Sequence, residues 1–203
     1  MKKQILYLTI IFLSAITVSA AETAAGILSG SANKIKAAKS LVAKYTINAD
    51  GHTQNGIMTI SGDRFTISSP QMVSWYDGKT QWTYSSHSGE VNISEPTDEE
   101  LQQINPFAII REFSSNYKAQ LLTSAAGSKK IRLTALSPKS DIRSATLTIN
   151  AKTLYPTRID LTMGNRQNVT IQITEIAEGP TLPAANFRFD AKKYPGVPVI
   201  DLR

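Results

Sequence analysis

The sequence predicts a mainly β domain of the α+β class, in which a single antiparallel sheet curls into an incomplete β-barrel and is plugged by helices. Three observations carry this. From Leu41 onward, apolar residues recur with period two along one run after another. Turn-forming pairs such as Asp50-Gly51, Gly62-Asp63, Asp77-Gly78 and Gly164-Asn165 separate these runs at hairpin spacing. Helical patterns occur in only two places, 22–38 and 97–113. A sheet of roughly ten strands with one apolar face has to bury that face, against a second sheet or against helices. Helical pieces at the start and in the middle of the chain fit a plug better than a sandwich.

The chain begins Met1-Lys2-Lys3, followed by an apolar run from Ile5 to Val18 and small residues at Val18-Ser19-Ala20. This pattern predicts a secretory signal peptide over 1–20, cleaved after Ala20. The run is short for a membrane span, which needs about 20 apolar residues. The remainder, 21–203, reads as one domain able to bury a core. Without Lys2 and Lys3 it carries 20 basic and 16 acidic residues, spread rather than clustered, so no nucleic-acid surface is expected. The chain has no cysteine, which excludes disulfides and thiolate metal sites.

Within 22–38, Ala24, Ile27, Leu28, Ile35 and Ala38 fall at helical spacings. Leu41, Ala43, Tyr45 and Ile47 then share one strand face. Ile57–Ile60 and the alternating Phe65 and Ile67 follow, with Pro70 ending that run. Trp75–Tyr84 is a hairpin about Asp77-Gly78, with Trp82 and Tyr84 on one face and Gln81 and Thr83 on the other; Val91 and Ile93 continue it. Thr97 with Glu100 forms a capping box ahead of Leu101 and Ile104. Asn105-Pro106 restarts a helix, with Asn as cap and Pro at its first position. Phe107, Ile109, Ile110 and Phe113 cover most of that helix, with Arg111 and Glu112 its only charges. Such a helix is buried on two sides or lies over something apolar. Tyr117–Leu122 opens a second series of strands. In it Ile131 and Leu133, then Ala145, Leu147 and Ile149, then Ile159, Leu161 and Met163, then Val169, Ile171 and Ile173 alternate with polar residues.

These faces predict a shared apolar interior formed by Trp82, Tyr84, Phe107, Ile109, Ile110, Phe113, Leu133, Leu147, Ile149, Ile159, Leu161 and Ile171. If side chains fill it, it is a core; if not, it is a pocket for an apolar ligand. The pattern alone leaves both open. His52 and His87 both sit in turns and read as exposed residues rather than ligands, no acidic cluster has metal spacing, and no nucleophile elbow is present. An enzyme is not expected, nor a metal or cofactor.

The run Asp77-Gly78-Lys79-Thr80-Gln81-Trp82-Thr83-Tyr84, then Asn105-Pro106-Phe107, Phe187-Arg188-Phe189 and Pro195-Gly196-Val197, resembles the periplasmic outer-membrane lipoprotein carriers of the LolA family. The order of strands and helical insert resembles the family over nearly all of 21–203. The resemblance implies a helical lid over a hydrophobic cavity in a periplasmic, monomeric carrier. Its implied partners are acylated lipoproteins, an inner-membrane lipoprotein-releasing transporter and an outer-membrane acceptor. In the family an Arg-Pro pair on an early strand helps close the lid. The comparable residue here is Arg64, followed by Phe65 rather than Pro, so the resemblance makes Arg64 the lid-locking residue. On its own it reads as a solvated strand position. The runner-up reading is a periplasmic lipid sensor or small apolar-ligand binder of the same fold.

Overall fold

The computed structural model describes residues 22–105 and 107–203. The expected signal peptide, Pro106 and the Glu112 side chain lie outside the described residues. Helix α1 (Ala24–Ala37) leads into β1 (Ser40–Ala49), β2 (His52–Ser61), β3 (Arg64–Ser68), β4 (Met72–Tyr76), β5 (Gln81–Ser85) and β6 (Glu90–Ser94). The insert consists of α2 (Asp98–Ile104) and α3 (Ala108–Asn116). Then follow β7 (Tyr117–Leu122), β8 (Ser128–Ala135), β9 (Ile142–Asn150), β10 (Pro156–Met163), β11 (Asn168–Gly179) and β12 (Val199–Asp201).

Among the described residues all twelve strands join one sheet in the order β12-β6-β5-β4-β3-β2-β1-β11-β10-β9-β8-β7. Every pairing is antiparallel except β12 against β6. The sheet is therefore two meanders joined by β1 and β11, and it does not close: β12 and β7 are its two edges. The insert carries the chain from β6, near one edge, to β7 at the other. A segment with that connectivity has to cross the open side of the sheet.

Turn chemistry sets the register. Asp50 and Gly51 both have positive φ (50° and 79°), the two-residue turn that suits the twist of a hairpin, and β1 pairs β2 from Ala49↔His52 onward. Gly56 opposes Tyr45 on β1, whose ring lies across it; a Cβ there would meet the ring carbons and oxygen at 2.5–2.8 Å. The helix starts follow their caps. Thr23 Oγ1 accepts from the Gly26 N–H at 3.0 Å, and Thr97 with Glu100 forms the reciprocal capping box.

One contiguous apolar cluster lies between the sheet and the helices. It joins Ile27, Leu28 and Ile35 of α1 to Leu41, Met58, Phe65 and Ile67 of the first meander. From the second it takes Ile131, Leu133, Leu147, Ile149, Ile159, Leu161 and Ile171. We call this the inner face. Beyond β3 the dry side changes. The register places Thr66, Trp75, Trp82 and Ile93 in one row across β3–β6, opposite in phase to Ile67, Ser74, Thr83 and Asn92. On β4 the inner side still brings Met72 and Tyr76 to the cluster, but on β5 and β6 the inner residues Gln81, Thr83, Asn92 and Ser94 are polar, while the outer row is aromatic and aliphatic.

The segment after β11 covers that outer row. Two short 3-10 turns, Ala184–Phe187 and Ala191–Lys193, lie over it before β12 pairs with β6. Phe187 is fully buried. Trp75 meets Phe189 and Tyr194, each at 5.7 Å between ring centroids, and Tyr84 meets Tyr194 at 5.0 Å. Arg188 Nε bonds Asp77 Oδ2 at 2.9 Å. Burial alone would raise the Asp77 pKa, but the Thr80 and Lys79 N–H groups and the Arg188 guanidinium outweigh it and hold the carboxyl below its ordinary range.

Candidate functional site

The apolar interior is the candidate site, and α3 is its cover. Asn105 is not the N-cap of the second helix, as expected, but the C-cap of α2; it is buried, its Oδ1 accepts the Phe107 N–H at 2.9 Å, and α3 starts after Phe107 with no side-chain cap. Helix α3 then runs from Ala108 to Asn116 and passes without a loop into β7. Ile109 and Ile110 are both fully buried, although adjacent residues on a helix point about 100° apart. Phe107 and Phe113 are buried as well, and the outward Ser114, Ser115 and Asn116 supply the solvent face. Helix α3 packs against α1, and its apolar residues share one cluster with Leu133, Leu147 and Ile159 of the sheet.

Of the residues expected in the interior, Phe107, Ile109, Ile110, Phe113, Leu133, Leu147, Ile149, Ile159, Leu161 and Ile171 come together in this single cluster. Trp82 and Tyr84 do not. They lie in the outer rows of β5, where Tyr84 meets Tyr194 of the C-terminal segment, because a hairpin that is apolar on its outer side carries the same alternation as one apolar on its inner side. Arg64 is also displaced from its expected role. It pairs with Ser61, out of phase with the inward Phe65, and its guanidinium sits 5.1 Å from the centre of the Phe187 ring. The contact it makes is with the C-terminal segment.

The cation that reaches from α3 to the β2–β3 turn is Arg111. Arg111 Nη1 of α3 meets Asp63 Oδ1 in the β2–β3 turn at 2.6 Å. This pair ties α3 to the opposite meander. Asp63 is 85% exposed at its side chain, so solvent screens the bond. The Asp63→Asn variant is expected to shift the closed-to-open balance of α3 by only about two- to fivefold. The readout is the intensity of an environment-sensitive hydrophobic dye; an increase greater than tenfold would show a true latch.

The other helices are held more firmly. Lys34 of α1 pairs with Glu178 at 2.7 Å, and Glu22 just ahead of α1 pairs with Lys129. The Tyr155 hydroxyl donates to Glu178 at 2.8 Å; burial, and then Glu178, push its pKa up to about 12. Helix α2 is fastened by a hydrogen bond from Tyr117 to Gln102 at 2.9 Å and from Gln103 to Asp141 at 2.8 Å. Among the described side chains α3 has one polar tether, and apolar contact supplies the rest.

The interior is filled: Ile109, Ile110, Ile131, Leu133, Leu147, Ile149 and Ile159 have no solvent exposure. A cleft of about 670 Å³ opens elsewhere, over Lys44, Thr46, Asn55, Ile57 and Ser68, and of its lining only Tyr45 belongs to the interior cluster. No group of His, Asp and Glu among the described residues could hold a metal ion. Sequence reasoning missed the contribution of β1–β3 to the interior, although Leu41, Met58, Phe65 and Ile67 carry the period-two signal. It also missed the Asp63–Arg111 pair, which no local pattern announces.

A family model described as outer membrane lipoprotein carrier protein LolA matches residues 13–165. No curated protein matches the sequence. Among solved structures, an uncharacterized conserved protein from Thermus thermophilus has a TM-score of 0.59 at 10% identity, covering 86% of this chain and 96% of that one. MucB has a TM-score of 0.53 at 15% identity over 83% of this chain, which spans 63% of MucB. A putative outer membrane lipoprotein-sorting protein domain from Vibrio parahaemolyticus has a TM-score of 0.50 at 8% identity, over 84% and 97% of the two chains. At such identities these structures establish a common fold. The family itself rests on the sequence match, which takes in the helical insert and the strands from β1 to β10: this chain belongs to the outer membrane lipoprotein carrier family LolA.

Proposed function

We propose that this protein is a periplasmic carrier that shelters the acyl chains of lipoproteins in the interior beneath α3 and passes them from the inner to the outer membrane. Its partners would be the acylated lipoproteins, an inner-membrane lipoprotein-releasing transporter and an outer-membrane acceptor. The observation that carries the reading is α3 itself: an amphipathic helix whose apolar side, Phe107, Ile109, Ile110 and Phe113, is buried in the interior cluster of an open sheet, and whose one side-chain ion pair is screened.

Magnitudes support an exchange between lid and cargo. Burying Phe107, Ile109, Ile110 and Phe113 contributes roughly 1.5–3 kcal/mol for each side chain, or about 6–12 kcal/mol together. An acyl chain of about 16 carbons gains about 12 kcal/mol on leaving water, at ~0.8 kcal/mol per methylene. The two are of the same size. Cargo can therefore displace the lid, and the lid can help expel the cargo, without either state dominating.

The test is binding of a synthetic diacylated lipopeptide to the chain from Ala21. A one-to-one complex is expected, with hydrogen exchange across 105–116 rising at least tenfold on loading. Exchange that is the same with and without lipopeptide, or no complex at all, would defeat the proposal. Binding without subsequent transfer to acceptor vesicles would favour a sensor of acylated ligands over a carrier.

A further inference from the structure

Ser31 is fully buried on the inner stripe of α1, between Ile27 and Leu28 on one side and Ile35 on the other. Its hydroxyl is the one buried side-chain oxygen or nitrogen without a hydrogen-bond partner among the described residues. A serine inside a helix commonly returns its proton to the carbonyl one turn back, and this one does not. Other buried polar groups are satisfied: Ser40 donates to the Pro180 carbonyl, Ser61 to that of Lys39, Ser74 to that of Trp82, and Gln102 accepts from Tyr117. Alanine would pack equally well at position 31 and would avoid the penalty of an unpaired buried hydroxyl. The empty protein thus gains nothing from this hydroxyl.

We infer that Ser31 is a ligand-contacting residue whose hydroxyl donates to the ester or amide carbonyl of an acyl chain. The inference rests on the carrier reading above and adds the chemical group recognised. Helix α1 packs against α3 and β7, so its buried stripe is the wall that withdrawal of α3 uncovers. A plain hydrocarbon chain in that space would leave the hydroxyl unpaired. An acyl chain brings one carbonyl, at the end where the hydrocarbon meets its polar carrier. Ser31 would then set how deeply the chain enters, by holding its carbonyl beside α1.

The experiment compares two probes, 1-palmitoylglycerol and 1-O-hexadecylglycerol, which differ by the carbonyl alone, in displacing a fluorescent fatty-acid analogue. The wild-type chain from Ala21 is expected to bind the ester about tenfold more tightly than the ether. In Ser31→Ala the ratio is expected to fall to about one through loss of ester affinity, while the thermal midpoint of the empty protein stays level or rises. Ser31→Cys, of nearly the same shape with a weak donor, should give an intermediate ratio. An unchanged ester-to-ether ratio in Ser31→Ala, with both lipids bound, overturns the assignment and leaves the carrier reading standing. Displacement by neither lipid in the wild type overturns both.

Discussion

Phe187→Ala is expected to destabilise the protein by about 3–5 kcal/mol, the usual cost of removing a fully buried aromatic ring. For a domain of this size that corresponds to a fall in thermal midpoint of roughly 10 °C, at about 2–4 °C per kcal/mol. The ring lies beneath the Arg64 guanidinium and against β3 and β4, so its loss leaves a void where the C-terminal segment crosses the sheet. The damage should be local at first. Trp75, Trp82 and Tyr84 depend on this segment for cover, and Trp75 and Trp82 are the only tryptophans in the chain. Their emission should shift to the red below the main unfolding transition. Ligand entering the interior should leave the same emission unchanged, because neither indole faces it. A red shift on lipopeptide binding would place cargo on the outer face instead.

This two-sidedness explains what the sequence did and did not reveal. Alternation reports that a strand has a dry side; it does not say which side. For β8–β11, where Leu147, Ile159 and Ile171 sit directly across from one another, the assignment followed from continuity along one meander. For β5 it failed. Trp82 and Tyr84 are as apolar as the inward residues, and Tyr194, the ring that Tyr84 meets, lies more than a hundred positions later. The inner row of the same hairpin gave the missing hint. Ser74, Gln81 and Thr83 form a hydrogen-bonded group that would sit badly in an all-apolar interior, with Gln81 Nε2 bonding Ser74 Oγ at 2.8 Å. The capping box was legible for the opposite reason: Thr97 and Glu100 act on backbone groups within three residues, whereas Asn105, expected to cap the second helix, ends the first one instead. Arg64 and Arg111 show the limit. Both are single cations in apolar surroundings, and only the fold shows which of them meets the C-terminal segment and which meets Asp63.

The double substitution Phe107→Ser and Ile110→Ser should have the largest effect on the site, and it separates a lid from a core helix. Both side chains are buried, so the pair of changes removes several kcal/mol of apolar contact and leaves two hydroxyls facing hydrocarbon. If α3 is a separable cover, that loss exceeds what the screened Arg111–Asp63 pair can restore, and α3 opens while the sheet stays folded. Hydrogen exchange across 107–116 should then approach that of an unstructured segment, with β9, β10 and β11 still protected. A hydrophobic dye should bind more strongly, because Leu133, Leu147 and Ile159 lose their cover. The sheet has reason to survive: β1 and β11 pair along ten residues of β1, and α1 keeps its own buried stripe of Ile27, Leu28 and Ile35 in the cluster. If α3 is instead part of one cooperative core, its exchange and that of β9–β11 should rise together, and the thermal midpoint should fall with no gain in dye binding at low temperature. In that case the interior could not admit cargo by lid withdrawal, since opening it would mean unfolding the domain.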